Sequence, residues 1–279
     1  MRLNRSFKCF FALYFVTLIF CVGARIWLKL NAMDPTTGFY TGADALVGAF
    51  NTVLGIYIAA LFLRYLLRRT DSDYPVIRRD TVTGVFAMIT GAMILLYQLE
   101  ALGIPGFAVI NPGIQLRGIT LTISVVLGVI SGCMFIFTGV RTIWGNGHLY
   151  GGMVTLIGGI WMMLTLIFKF NSYTTLTTIS DNLLTVLFML FGALFMVGHA
   201  RTLLGVSRKD GRNYTIPSGL STSLIGLLLV VPNWVHSAAN TTLTLSAPML
   251  GSFESLFIFF LSIYALLFVR HVCLSIRMV

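Results

Sequence analysis

Hydrophobic residues in this chain neither alternate nor keep to one helical face; they run in long stretches separated by short segments that hold nearly all of the charge. A helix needs about 20 mainly apolar residues to cross about 30 Å of hydrocarbon. The charge-poor windows predict eight such spans, at 8–28, 43–66, 81–102, 118–143, 149–169, 183–205, 217–236 and 253–274. Helix is preferred to strand because lipid-exposed backbone must satisfy its own hydrogen bonds, and the ten-residue alternation of an outer-membrane barrel is missing. The expected fold is therefore all-α, a polytopic transmembrane helix bundle, with residues 1–279 forming a single integral membrane domain. The seventh window is the least regular, because Pro232 and Asn233 fall near its end.

Composition agrees: 57% of residues are apolar and 10% are charged, against roughly 25% charged in an ordinary soluble domain. A formal charge of +10 could point to nucleic acid, but the basic residues flank apolar spans and are not gathered into a soluble module with interleaved aromatics. No nucleic-acid partner is expected. Cys9, Cys21, Cys133 and Cys273 lie in or beside apolar runs, without metal-ligand or secreted-disulfide spacing, and read as packing residues.

Lysine and arginine in short loops set orientation. With the amino terminus inside, the inner segments carry Arg2, Arg5, Lys8, Arg64, Arg68, Arg69, Arg78, Arg79, Arg141, Arg201, Arg208, Lys209, Arg212, Arg270 and Arg277. Only Arg25, Lys29, Arg117 and Lys169 remain outside. Both termini are thus expected in the cytoplasm and the chain in the plasma membrane. The basic start and Val22-Gly23-Ala24 also fit a signal peptide, yet the apolar run continues through Ile26, Trp27 and Leu28, as in an uncleaved anchor.

Three segments share a threonine phrase leading into an even-numbered span: Thr120-Leu121-Thr122, Thr175-Leu176-Thr177 and Thr242-Leu243-Thr244. An arginine closes each following span, at Arg141, Arg201 and Arg270. This spacing fits tandem helical hairpins with the even helices in equivalent places around a core. Helix capping by threonine and the placement of arginine inside would also produce it. Small residues permit close helix approach in lipid. Gly128-x-x-x-Gly132 in span four and Gly151, Gly152, Gly158 and Gly159 in span five predict a tight antiparallel pair of these two spans, with homodimerisation as the other use.

Ionisable groups deep in a membrane are costly and usually functional, but none falls clearly at mid-span. Asp44, Glu100 and Glu254 stand at outer span ends, Asp34 and Asp181 in outer loops, and Asn233 and His236 on span seven. Together they form a candidate outer polar cluster, either lining a vestibule that attracts a cation or amine or simply hydrated at the interface. His199, near the inner end of span six, reads as a structural histidine, while Asn51 and Gln98 suit helix-to-helix hydrogen bonds. On the inner side Arg64, Arg68, Arg69, Arg78 and Arg79 are candidate contacts for anionic lipid headgroups, at about 1 kcal/mol each near the surface, weakened by Asp71, Asp73 and Asp80. The apolar loop from Gly103 to Gly113, broken by Pro105 and Pro112, reads as a surface loop.

The loop Asp34-Pro35-Thr36-Thr37-Gly38-Phe39-Tyr40 combines turn-forming residues with aromatics suited to the headgroup layer. It resembles a loop of uncharacterised multi-pass membrane proteins of Gram-positive anaerobes. The resemblance covers seven residues and implies no activity.

No H-E-x-x-H, Walker loop, G-x-S-x-G or G-x-G-x-x-G is present, so no catalytic, cofactor-binding or metal-binding residue is expected. Three roles compete, with permease-like or channel-like movement of a small solute the leading reading and a membrane subunit or scaffold its alternative. A permease-like or channel-like protein requires a polar route between helices. A non-enzymatic membrane subunit or scaffold, binding another membrane protein, requires an exposed small-residue face. A lipid-modifying enzyme requires polar groups around one cavity at headgroup depth.

Overall fold

The computed structural model describes residues 5–33, 40–67, 79–102, 119–145, 156–172, 179–204, 210–239 and 252–275. Long apolar runs leave the backbone no partner but itself, and each becomes a helix. In chain order these are α1 (Arg5–Asn31), α2 (Asp44–Leu67), α3 (Thr81–Ala101), α4 (Ile119–Trp144), α5 (Ile157–Ser172), α6 (Ile179–Leu204), α7 (Asp210–Ala239) and α8 (Ser252–Ser275). No strand occurs among the described residues; Met33 and Tyr40 form only an isolated antiparallel bridge. Gly42 follows it at φ 72°, a left-handed conformation that glycine adopts without steric cost.

Seven of these helices are long and apolar enough to cross a membrane. The exception is α5, whose 16 residues reach about 24 Å at 1.5 Å per residue. The expected span at 149–169 therefore matches only from residue 157, and residues 149–155 lie outside the described segments.

Three boundaries differ from expectation in ways that matter. α1 runs on to Asn31 and so carries Lys29 within the helix. Asp181, expected in a loop, sits in the first turn of α6, where a carboxylate favours the positive end of the helix dipole. α7 begins at Asp210 instead of 217 and continues to Ala239 through Pro217 and Pro232. Membrane helices tolerate such prolines because neighbouring helices and local adjustments can satisfy the freed backbone groups, and α7 is enclosed by α1, α2, α6 and α8.

α7 occupies the centre, with 83% of its most apolar stretch buried against 22% for α2. It packs on α1, α2, α6 and α8; α3 lies between α4 and α8; α5 contacts α4 and α6. The core joins Leu224, Ile225 and Leu228 of α7 to Phe188 and Phe195 of α6, Phe257 and Leu261 of α8, and Trp161 of α5. Consecutive helices do pair as hairpins, but the even helices are not equivalent, since α6 and α8 flank the centre while α2 is peripheral. Of the threonine phrases, 175–178 and 242–246 lie outside the described residues, as do the loop 103–118 and Asp34.

The glycines of α4 serve a different partner from the one expected. A Cβ on Gly91 of α3 would lie 2.6 Å from the Gly132 carbonyl oxygen, one on Gly132 2.9 Å from the Leu95 side chain, and one on Gly139 2.5 Å from the Gly84 oxygen. α4 therefore packs its small-residue face on α3, with the Gln98 side chain seated over Gly128. Gly158 and Gly159 of α5 instead approach Met196 and Val197 of α6, with Ser131 of α4 beside Gly158.

Hydroxyls within the bundle largely satisfy themselves. Thr90, Thr138, Thr142, Thr165 and Thr202 each donate to the carbonyl four residues earlier, the usual intrahelical outlet for threonine. His199 is structural, as expected: its Nε2 meets the Tyr264 hydroxyl at 2.6 Å, with Phe135 stacked at 5.7 Å and Phe268 at 4.5 Å. Outward faces of α1 and α4 carry Val16, Ile19, Ile123, Val126 and Phe137, a surface suited to hydrocarbon and not to water. The chain is a multi-pass membrane protein.

At the end where α3 begins, Asp80 acts as its N-cap. Its carboxylate accepts from the Val82 amide at 3.1 Å and the Thr83 hydroxyl at 2.7 Å, and faces His271 Nδ1 of α8 at 3.3 Å. Burial pushes this carboxyl up, but the Thr83 hydrogen bonds, His271 and the Val82 amide together hold it below the ordinary 3.8. A carboxyl lowered by folding stabilises fully above its unfolded value, and that stability is lost as pH falls through the folded value. Asp80→Ala is accordingly expected to cost about 1 kcal/mol at neutral pH. Thermal unfolding between pH 7 and 3 should show a shallower acid decline in the variant than in the parent.

Candidate functional site

Two polar clusters form at the end of the bundle where α1, α3, α5 and α7 finish. In the first, Asp181 of α6 receives the Arg25 guanidinium and, at 2.7 Å, the Lys29 ammonium, both from α1. Lys29 also donates to Asn233 of α7, and the His236 ring bonds to the Lys29 backbone. Arg25 and Lys29 are only 2% and 5% exposed. Their charged heads reach α6 at Asp181 and, for Lys29, α7 at Asn233.

The second cluster joins α3, α5 and α8. Lys169, at the end of α5, pairs with Glu254 in the first turn of α8. Glu100, at the end of α3, accepts the backbone amides of Phe253 and Glu254. A carboxylate from one helix thus caps the next, satisfying amides that have no intrahelical partner and meeting the positive end of the dipole. Trp234 Nε1 reaches Ser255 Oγ at 3.4 Å, linking α7 to α8 at this end.

The expected outer cluster is therefore corrected. Asn233 and His236 belong to one group, Glu100 and Glu254 to another, and Asp44 stands apart, exposed in the first turn of α2. Asp181, placed with the loops by sequence, is central to the first group. The cations were missed as members. Their signal was present, because Arg25, Lys29 and Lys169 are three of the four basic residues that break the inside placement. Asp181 and Glu254 each already meet an internal cation.

Of the basic cluster at the opposite end, Arg64 lies over the Phe10 ring at 4.0 Å and Arg79 is exposed beside Gly145. Arg68, Arg69 and Arg78 lie outside the described residues. No group of three His, Cys, Asp or Glu side chains suited to a metal occurs among the described residues.

A third feature is the outward face of α2. Ala45, Gly48, Ala49, Asn51, Thr52, Gly55, Ala59 and Ala60 are all exposed, and a Cβ on Gly48 or Gly55 would meet nothing within 4 Å. Gln98, the other uncharged polar candidate, is buried against α4, whereas Asn51 faces outward. No family model, curated protein or solved structure matches the chain.

Proposed function

We propose that this protein is a non-enzymatic subunit of the plasma membrane that binds another membrane protein through α2. The observation carrying this reading is the contrast between outward faces. α1 and α4 present mainly Val, Ile and Phe outward, while α2 presents Ala45, Gly48, Ala49, Asn51, Thr52 and Gly55 in its first half, with Ile56 and Leu63 exposed beyond them. Apolar side chains gain nothing from leaving lipid for another helix, so association relies on close backbone approach and interhelical hydrogen bonds. α2 offers both, and an Asn51 amide facing hydrocarbon alone would be costly.

A permease-like role calls for a polar route, and the centre of the bundle instead packs Leu224, Leu228, Trp161, Phe188 and Phe257. That packing favours the subunit reading. Both termini face the cytoplasm, so that Arg64, Arg79, Arg141, Arg201 and Arg270 meet its anionic headgroups.

Photo-crosslinkers placed at Gly48 and Gly55 in native membranes are expected to capture a discrete protein adduct that Ile19 and Val126 positions do not. Gly55→Leu should abolish the adduct while leaving the unfolding temperature of the purified protein unchanged. Equal labelling from all four positions would refute the assignment. A reporter inserted in the 205–209 link is expected to read cytoplasmic, and an exported signal there would reverse the orientation.

A further inference from the structure

Among the described residues, the first polar cluster does not balance its own charge. Arg25 and Lys29 bring two cations to a single carboxylate, Asp181, with Asn233 neutral beside them. Both cations are almost wholly buried, and the Arg25 Nε has no hydrogen-bond partner among the described residues. A buried charge without a counter-charge is expensive, as is a buried donor left unmade. Both deficits have the same sign and the same remedy, an anionic acceptor.

We infer that the Arg25–Lys29–Asn233 cluster binds a phosphate group, whose oxygens accept from Arg25 Nε and the Lys29 ammonium. A guanidinium presents its donors in a planar fork that matches phosphate oxygens. α1 and α6 both pack on α7, and the pairs of Arg25 and Lys29 with Asp181 bridge α1 to α6 at the bundle end. Arg25 lies six residues before the last residue of α1, or about 9 Å along the axis, and Lys29 two residues before it. Both residues thus lie within the last two turns of an apolar helix long enough to cross a membrane. The phosphate belongs either to a phospholipid headgroup or to a free solute. This assignment is independent of the role of α2.

The test uses full-length protein purified and delipidated in a neutral detergent. Its unfolding temperature is followed with inorganic phosphate against chloride at matched ionic strength, and with added phosphatidylglycerol against a phosphate-free diglucosyl diacylglycerol. At least one phosphate-bearing probe is expected to raise the unfolding temperature saturably. Lys29→Met, which keeps the Arg25–Asp181 pair and removes the surplus charge, should fold and lose the response. Arg25→Gln should weaken the probe at least tenfold; if it fails to fold, Asn233→Ala supplies the second measurement, with a weaker response expected. A response to phosphatidylglycerol alone assigns a lipid headgroup, and one to inorganic phosphate assigns a free solute. The proposal is overturned if neither probe acts, if the glycolipid acts equally well, or if Lys29→Met responds like the parent, as it would where Lys29 itself gave up a proton.

Discussion

Asp181→Ala protein in mild detergent is expected to lose on the order of 3–5 kcal/mol of stability, the usual consequence of removing one side of a buried ion pair. The magnitude follows from what remains. Arg25 and Lys29 would both stay buried with no carboxylate, whereas truncating an exposed pair costs only about 0–1 kcal/mol. Glu254→Ala should also destabilise, because it removes the carboxylate that Lys169 meets on α8. Replacing both members, Lys169→Met with Glu254→Leu, should recover part of the loss, because neither member of the pair is left buried without the other. Denaturant unfolding followed by tryptophan fluorescence measures all of these. A double variant no better than Glu254→Ala would show that burial of the ion pair is not the source of the cost.

The second large effect is expected at the α3–α4 interface. Gly91→Val should cost at least the 1–3 kcal/mol typical of overpacking. The new side chain would press on the Gly132 oxygen at 2.6 Å and the Ile136 nitrogen at 2.9 Å, and backbone atoms cannot rotate away. The two helices would have to separate along their length. Gly55→Val is the control, because nothing lies within 4 Å of that position, and it should unfold like the parent. Equal destabilisation by both substitutions would mean that loss of glycine itself, not helix proximity, sets the effect.

The bundle was legible because the length of an apolar run is a local property, and lipid leaves helix as the answer. Helix ends were less so. Arg212 and Pro217 looked like a boundary before span seven, yet Asp210–Ala239 is one helix, since packing by neighbouring helices lets a membrane helix continue through proline. The pairing of α4 with α3 escaped notice for another reason: Gly128 and Gly132 announce a close contact without saying with which neighbour. The polar clusters depend on contacts across 156 residues for Arg25 with Asp181 and 85 for Lys169 with Glu254, which no local pattern encodes. What the sequence did offer was the exception. Arg25, Lys29 and Lys169 oppose the general placement of positive charge, and each is held by a buried partner. Orientation statistics treat such residues as noise, whereas a cation on the unfavoured side needs a reason to be there.

The separation of Arg25 from Asp181 bears on how the protein is made. Ribosomes add roughly 5–20 residues per second, so α1 exists for about 10–30 s before the carboxylate that neutralises it has been synthesised. During that interval a hydrophobic segment bearing two cations must be retained beside the insertion machinery or at the membrane surface. The Arg25–Asp181 pair therefore forms only after α6 has been made, long after α1.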